Sequence, residues 1–284
     1  MTRHPLVSYQ PLRLLFQLSY LIRIILHLPY YTLISLIPSL RPHKTWSFKQ
    51  TFTTRISYHF LSCISHIGIT EPLNLSPGAE GRRFQLIPTS PLNLYKGPLE
   101  YPTIKPATTG GTWFPDLPGE DTSEKLVMLY FHGGAFVQGD GRAAQYSTIA
   151  NYFLDPKTCN FVFSLQYRLS GHGDVNPFPA ALQDALSSYL FLLNEYHIPA
   201  RNIILTGDSA GATLATSLLR YLWEFGGEIG VEAPKCAVLL SPWVEPFYYD
   251  TRQNPHRGTD FVPSAYGGTS FHFPLSPLSL LSPY

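Results

Sequence analysis

Two short stretches hold residue types at spacings that could do covalent chemistry. Gly207-Asp208-Ser209-Ala210-Gly211 is a G-x-S-x-G pentapeptide placed where an apolar run, NIILTG, gives way to a helical pattern. In that strand–turn–helix context the turn is sharp, and small residues must flank the serine so that backbone can approach backbone. Ser209 would be lifted above the sheet at a helix N-terminus, where free N–H groups favour a developing anion. The plainer alternative is a serine that merely caps its helix. His132-Gly133-Gly134-Ala135 directly follows another apolar run, LVMLYFH, and precedes the elbow by about 75 residues. Its glycines let N–H groups turn inward toward a substrate oxygen, and with the Ala210 N–H they would form an oxyanion hole. The chemistry implied is nucleophilic attack by a serine with stabilisation of an oxyanion. His132 sits within the loop and fits a structural role better than that of general base. Asp208 reads as a hydrogen-bond acceptor that steadies the turn. Arg168, in Tyr167-Arg168-Leu169, reads as half of a structural ion pair, and Phe178-Pro179-Ala180 as a helix start.

These residues need a scaffold, and from about residue 121 strand and helix signals alternate. Strands are expected at 126–132, 160–168, 202–207 and 235–242, and helices at 179–194 and 210–225. Helices between apolar strands imply crossover connections and a mostly parallel sheet, an α/β fold. Between 71 and 120 the chain is rich in Pro, Gly and Thr and offers short strands at best, such as RFQLIP and LEYPTI.

Composition bounds the partners. Lys and Arg number 20 and Asp and Glu 19 in 284 residues, a net charge of +1 that gives no field to steer nucleic acid. Charged residues make up only 14%, against a usual figure of about 25%, and aromatics another 14%. Cys63, Cys159 and Cys236 fit neither a zinc pattern nor a disulfide framework and read as plain buried thiols. No cofactor or metal is implied.

Residues 1–70 differ in kind from residues 71–284, so two domains are expected. The run from Leu12 carries Arg13, Gln17, Tyr20, Arg23 and His27 at steps of four, three, three and four, one polar stripe on an otherwise apolar helix. Two arginines resist a lipid-surrounded span, and the reading preferred is a helix lying in the membrane interface through residues 12–40, basic stripe toward the headgroups. A spanning anchor and a helix docked on its own domain are the alternatives. If the segment spans, Arg41, Lys44, Lys49 and Arg55 follow it and only Arg3 precedes it, which would face the main domain to the cytoplasm. Phe48, Phe52, Ile56, Phe60 and Ile64 recur every four residues and predict a second amphipathic helix, a core element or a lid.

HGGAFVQGD, QYRL, FPAALQDA, GDSAGA and SPW together resemble the hormone-sensitive-lipase branch of the α/β hydrolases, over residues 112–245. The resemblance implies hydrolysis of a hydrophobic carboxylic ester through an acyl-enzyme, without metal or cofactor. Ser209 would be the nucleophile, and Gly133, Gly134 and Ala210 the oxyanion donors. It also implies an acid and then a histidine after two further strands, where only 75 residues follow Ser209. Glu245, Asp250, His256, Asp260 and His272 are the candidates, but their spacings leave no room for a crossover helix. The triad acid and base are therefore unassigned, and the chain is expected to be truncated relative to that family, with the strand near 235–241 left as a bare edge. A non-catalytic protein that binds acyl ligands or partners through the same pocket is the alternative function.

Overall fold

The computed structural model describes residues 5–67, 72–154, 158–171 and 175–244. They fall into two compact units, one built on the N-terminal 69 residues and one on the chain from residue 70 onward. Helix α1 (Leu12–Leu36) and helix α2 (Phe48–Ile67) make the first.

The second unit is a six-stranded sheet in the order β1-β2-β4-β3-β5-β6. Its strands are β1 (Phe84–Ile87), β2 (Thr109–Phe114), β3 (Val127–Phe131), β4 (Phe161–Gln166), β5 (Ile203–Asp208) and β6 (Cys236–Leu240). Strands β4, β3, β5 and β6 run parallel, and β1 and β2 pair antiparallel at one side. Helices α3 (Ala143–Phe153), α4 (Ala180–Asn194) and α5 (Ala210–Ile229) supply the crossovers. The central strands are near-continuous apolar runs because helices cover both faces of a parallel sheet. Every residue of β2 and β3 is buried, and Trp113, Tyr130, Phe131, Phe163 and Tyr167 anchor the interior.

All four parallel strands and two of the crossover helices lie where the sequence placed them. Strand β2 does not: the strand is TGGTWF, not LEYPTI. Gly110 and Gly111 are strand residues packed under rings: a Cβ on Gly110 would stand 2.1 Å from the Phe84 ring, and one on Gly111 2.3 Å from the Phe163 ring. Aromatic rings fill the space those glycines leave. Among the described residues β6 has β5 as its one partner, and Cys236 is exposed there rather than buried.

The first unit corrects the expected orientation of its helices. Only part of the stripe on α1 meets α2: Tyr20 Oη lies 3.1 Å from Ser62 Oγ, and Tyr31, one turn beyond His27, places its Oη 2.6 Å from His59 Nε2, whereas Gln17 and Arg23 are exposed. Most leucines and isoleucines of α1 are exposed, although Ile34 is buried. On α2 the buried positions include Thr51, His59, Ser62 and Ser65, whereas Phe60 is 60% exposed.

Candidate active site

The parallel strands end in one row. Register pairs Phe131 with both Leu165 and Gly207, so the next residues, Gln166, His132 and Asp208, emerge side by side at the sheet's carboxyl edge. Ser209 follows at φ +51°, ψ −118°, a conformation costly for a residue with a side chain. The surroundings hold it there. Its N–H donates to Leu240 O at 3.0 Å, and its carbonyl accepts from Thr213 N–H at 3.2 Å and Trp243 N–H at 3.3 Å. Thr213 Oγ1 donates to Trp243 O at 2.6 Å, so Ser241-Pro242-Trp243 clamps the elbow. That role is not legible in residue types, because it depends on β6 lying beside β5.

The two flanking glycines have one cause. A Cβ on Gly211 would lie 2.0 Å from Phe131 O, and one on Gly207 2.6 Å from the same oxygen. The start of α5 therefore presses on the end of β3, which brings Ser209 beside the loop that leaves β3. Ser209 occupies the N-cap position yet its side chain makes no capping bond. That leaves its hydroxyl available, unlike a serine that serves only as a cap.

The Asp208 carboxylate joins the two motifs. Its Oδ1 accepts the Gly133 N–H at 2.8 Å and the Tyr130 hydroxyl. Burial, and then that hydrogen bond, push the Tyr130 phenol far above its ordinary range, so it stays a donor. The bond corrects one expected donor: Gly133 spends its N–H on Asp208 and has none to offer an oxyanion. The N–H groups of Gly134, Ala135 and Ala210 have no hydrogen-bond partner among the described residues. Gly134, Ala135 and Phe136 all have positive φ, at 113°, 52° and 63°. Ala135, which the sequence reading passed over, is thus a third available N–H. Its signal was the left-handed backbone after the glycines, which residue types alone do not report.

His132 is fully buried, with its ring stacked on Tyr167 at 4.1 Å between centroids. Its Nδ1 lies 2.8 Å from Gly133 O, which can only accept, so Nδ1 carries the proton. Burial pulls the imidazole down to about 4, against the smaller pull of Gly133 O and Asp208. It is a neutral structural group that braces the loop. Arg168 pairs with the wholly buried Asp184 at 2.8 Å and also donates to Lys105 O, Ala180 O and Gln183 Oε1. Burial pushes Asp184 up to about 6, and Arg168 opposes it. Arg142, unremarked in the sequence, ion-pairs with Glu80, lies over the Phe84 ring, and donates to Asn74 O at 2.9 Å and Ser76 O at 2.6 Å. Glu245, Asp250, His256, Asp260 and His272 lie outside the described residues.

Residues 128–266 match a family model described as the alpha/beta hydrolase fold. The chain is 36% identical over 119 residues to an acetyl-hydrolase of Streptomyces hygroscopicus, covering 42% of this chain and 36% of that protein. It is 30% identical over 168 residues to the esterase LipI of Mycobacterium tuberculosis, covering 55% and 48%. The chain thus spans less than half the length of these two relatives. A hyperthermophilic esterase from Pyrobaculum calidifontis superposes with a TM-score of 0.51 at 19% identity, over 82% of this chain and 66% of that one, a likeness of fold.

Proposed function

The chain has the α/β-hydrolase fold, and on that premise we propose that it is a serine hydrolase of carboxylic esters. Ser209 Oγ attacks the ester carbonyl carbon and its proton passes to a base. The C–O bond to the alcohol breaks, the alcohol leaves with a proton, and water hydrolyses the resulting acyl-enzyme. Gly134, Ala135 and Ala210 donate to the oxyanion in the transition state, where such donors are worth most. Asp208 positions the oxyanion loop through Gly133 and is not the triad acid. The single observation that supports this reading is Ser209 held at positive φ, free of capping duty, at a sheet edge beside a loop whose Gly134 and Ala135 N–H groups are unspent among the described residues.

The test is hydrolysis of 4-nitrophenyl acetate by the full chain beside Ser209→Ala, with labelling by a fluorophosphonate as a second readout. The expected result is a loss of at least about 10³-fold in turnover and no label in the variant. Equal turnover and equal labelling in both folded proteins would overturn the assignment.

The first unit supports membrane association. Helix α1 is long and apolar enough to cross a bilayer. Its 25 residues span about 37 Å at 1.5 Å each. Most of the exposed face of α1 is apolar, with Gln17 and Arg23 exposed beside it, while Tyr20 and Tyr31 are turned onto α2, an arrangement that supports lipid outside and protein inside. Arg41, Lys44 and Lys49 follow it, which favours a cytoplasmic main domain. Flotation of the full chain with vesicles tests the association: protein that stays at the bottom of the gradient contradicts it.

A further inference from the structure

On the same carboxyl edge as Ser209, but two strands away, lies a cavity of about 200 Å³. Gln166 lines it and stands in the ladder row of Asp208 across β3, a separation of roughly 10 Å at ordinary strand spacing. The oxyanion loop lies between, tied to this side by Ser170 N–H donating to Phe136 O at 2.7 Å.

The walls decide what would fit. Leu73, Leu75, Leu169 and Val175 supply apolar surface. The polar side chains that also line it are already spent on the protein. Gln166 donates to Asn74 O and accepts from Arg142, Asn176 donates to Leu169 O, and Arg168 is engaged by Asp184 and Gln183. The exceptions are Thr108, which is exposed, and Thr109, 2% exposed, whose Oγ1 has no partner among the described residues. The Leu73–Leu75 wall is built rather than incidental, because Asn74 O between them accepts from both Arg142 and Gln166 at 2.9 Å. A cavity of about 150 Å³ lined by aliphatic side chains takes a benzene ring.

We propose that this cavity binds one small apolar group, a single aromatic ring or a short alkyl chain, as the hydrophobic part of the ester presented to Ser209. The proposal rests on the ester-hydrolase reading for its role in turnover but not for binding. A long unbranched lipid chain exceeds the volume, so esters of short or monocyclic acids are the favoured class.

The test uses the full chain with benzene and 1-hexanol as probes of binding, and 4-nitrophenyl acetate and hexanoate as substrates. Saturating probe is expected to raise Tm by about 3 °C. Leu75→Trp fills the cavity and should abolish that rise and lower the hexanoate-to-acetate ratio of kcat/KM about tenfold. Val175→Trp, at a partly exposed position that tolerates bulk, should do the same and guards against a folding defect in the first variant. A Tm rise that is absent in the native chain, or undiminished in both variants, overturns the site. Binding lost in both variants with an unchanged ratio overturns its part in substrate choice. Probe binding without hydrolysis of any ester overturns the Ser209 reading and the substrate role together, and leaves an apolar ligand site.

Discussion

The two units of this chain differ in the balance of what they bury. In the sheet unit β2 and β3 have no exposed residue, and the polar groups that are buried there are mostly paired, as Asp184 is with Arg168. In the helical unit the buried positions include Ser8, Ser35, Thr51, His59, Ser62 and Ser65, while Leu15 is 59% and Leu26 73% exposed. One core follows from the hydrophobic effect in water. The other would gain little from it, since polar seams contribute about 1 kcal/mol per hydrogen bond and exposed leucines contribute nothing. The lesson is that apolar content alone does not identify a core. The direction in which the apolar face turns separates a water-facing unit from one suited to lipid.

The largest expected effect tests the sheet unit, where close packing and chemistry coincide. Gly211→Val would drive a side chain into Phe131 O and His132 O, backbone atoms that cannot rotate away. The expected cost exceeds about 4 kcal/mol, in the exceptional class for a point change, and the elbow would be lost with it. Limited proteolysis should cut the sheet unit of the variant at least tenfold faster. A variant as resistant as the native chain would mean that β3 and α5 are not in contact, and the comparison of the two cores would fail on its better-packed side.

That coupling also marks where the sequence was legible. The parallel strands could be read because each is a short, largely apolar run bounded by turn residues. Ser209 could be read because its neighbours must be small for a local reason. The partners of those residues could not. Gly133 gives its N–H to Asp208 across 75 positions of chain, and Arg142 holds Asn74 across 68. Such contacts exist only once the sheet has formed. Strand β2 was missed because its glycines serve two rings, Phe84 and Phe163, that lie on other strands. For α1 the period picked out a polar stripe of which Tyr20 and His27 lie against α2 while Gln17 and Arg23 stay exposed, because period alone does not say which residues face inward.

A second, smaller effect sharpens the contrast by pH. His132 is buried and neutral, held down to about 4, whereas in the unfolded chain it titrates near 6.5. As pH falls from 6.5 toward 4, the unfolded chain takes up a proton that the folded chain refuses, so stability is lost across that window. The difference of about 2.5 units corresponds to about 3 kcal/mol. Asp184, held up to about 6, binds its proton more readily in the folded chain and works in the opposite direction below about pH 6, so the acceleration of amide exchange in β3 and β5 expected from His132 between pH 6.5 and 4 is read as the difference between the native chain and a variant without it. His132→Phe should flatten that response. An unchanged pH response in the variant would place the acid sensitivity of the sheet unit in some other group.

The smallest expected change in stability tests the helical unit and is the most discriminating. Ile22→Gln and Leu26→Gln replace side chains that are 56% and 73% exposed, so without lipid each should alter stability by less than about 0.5 kcal/mol. Against vesicles the same changes remove apolar area from the bilayer, worth roughly 1.5–3 kcal/mol for a fully buried side chain, and partition should fall about tenfold. Tyr31→Phe should behave in reverse. It strips His59 Nε2 of its partner, which costs about 1–2 kcal/mol of stability, and it leaves the outward face and the vesicle partition as they were. If the glutamine variants destabilise the lipid-free chain by 2 kcal/mol or more, the leucine face packs against protein in solution. The helical unit would then be an ordinary core element, and its inverted burial would no longer point to lipid.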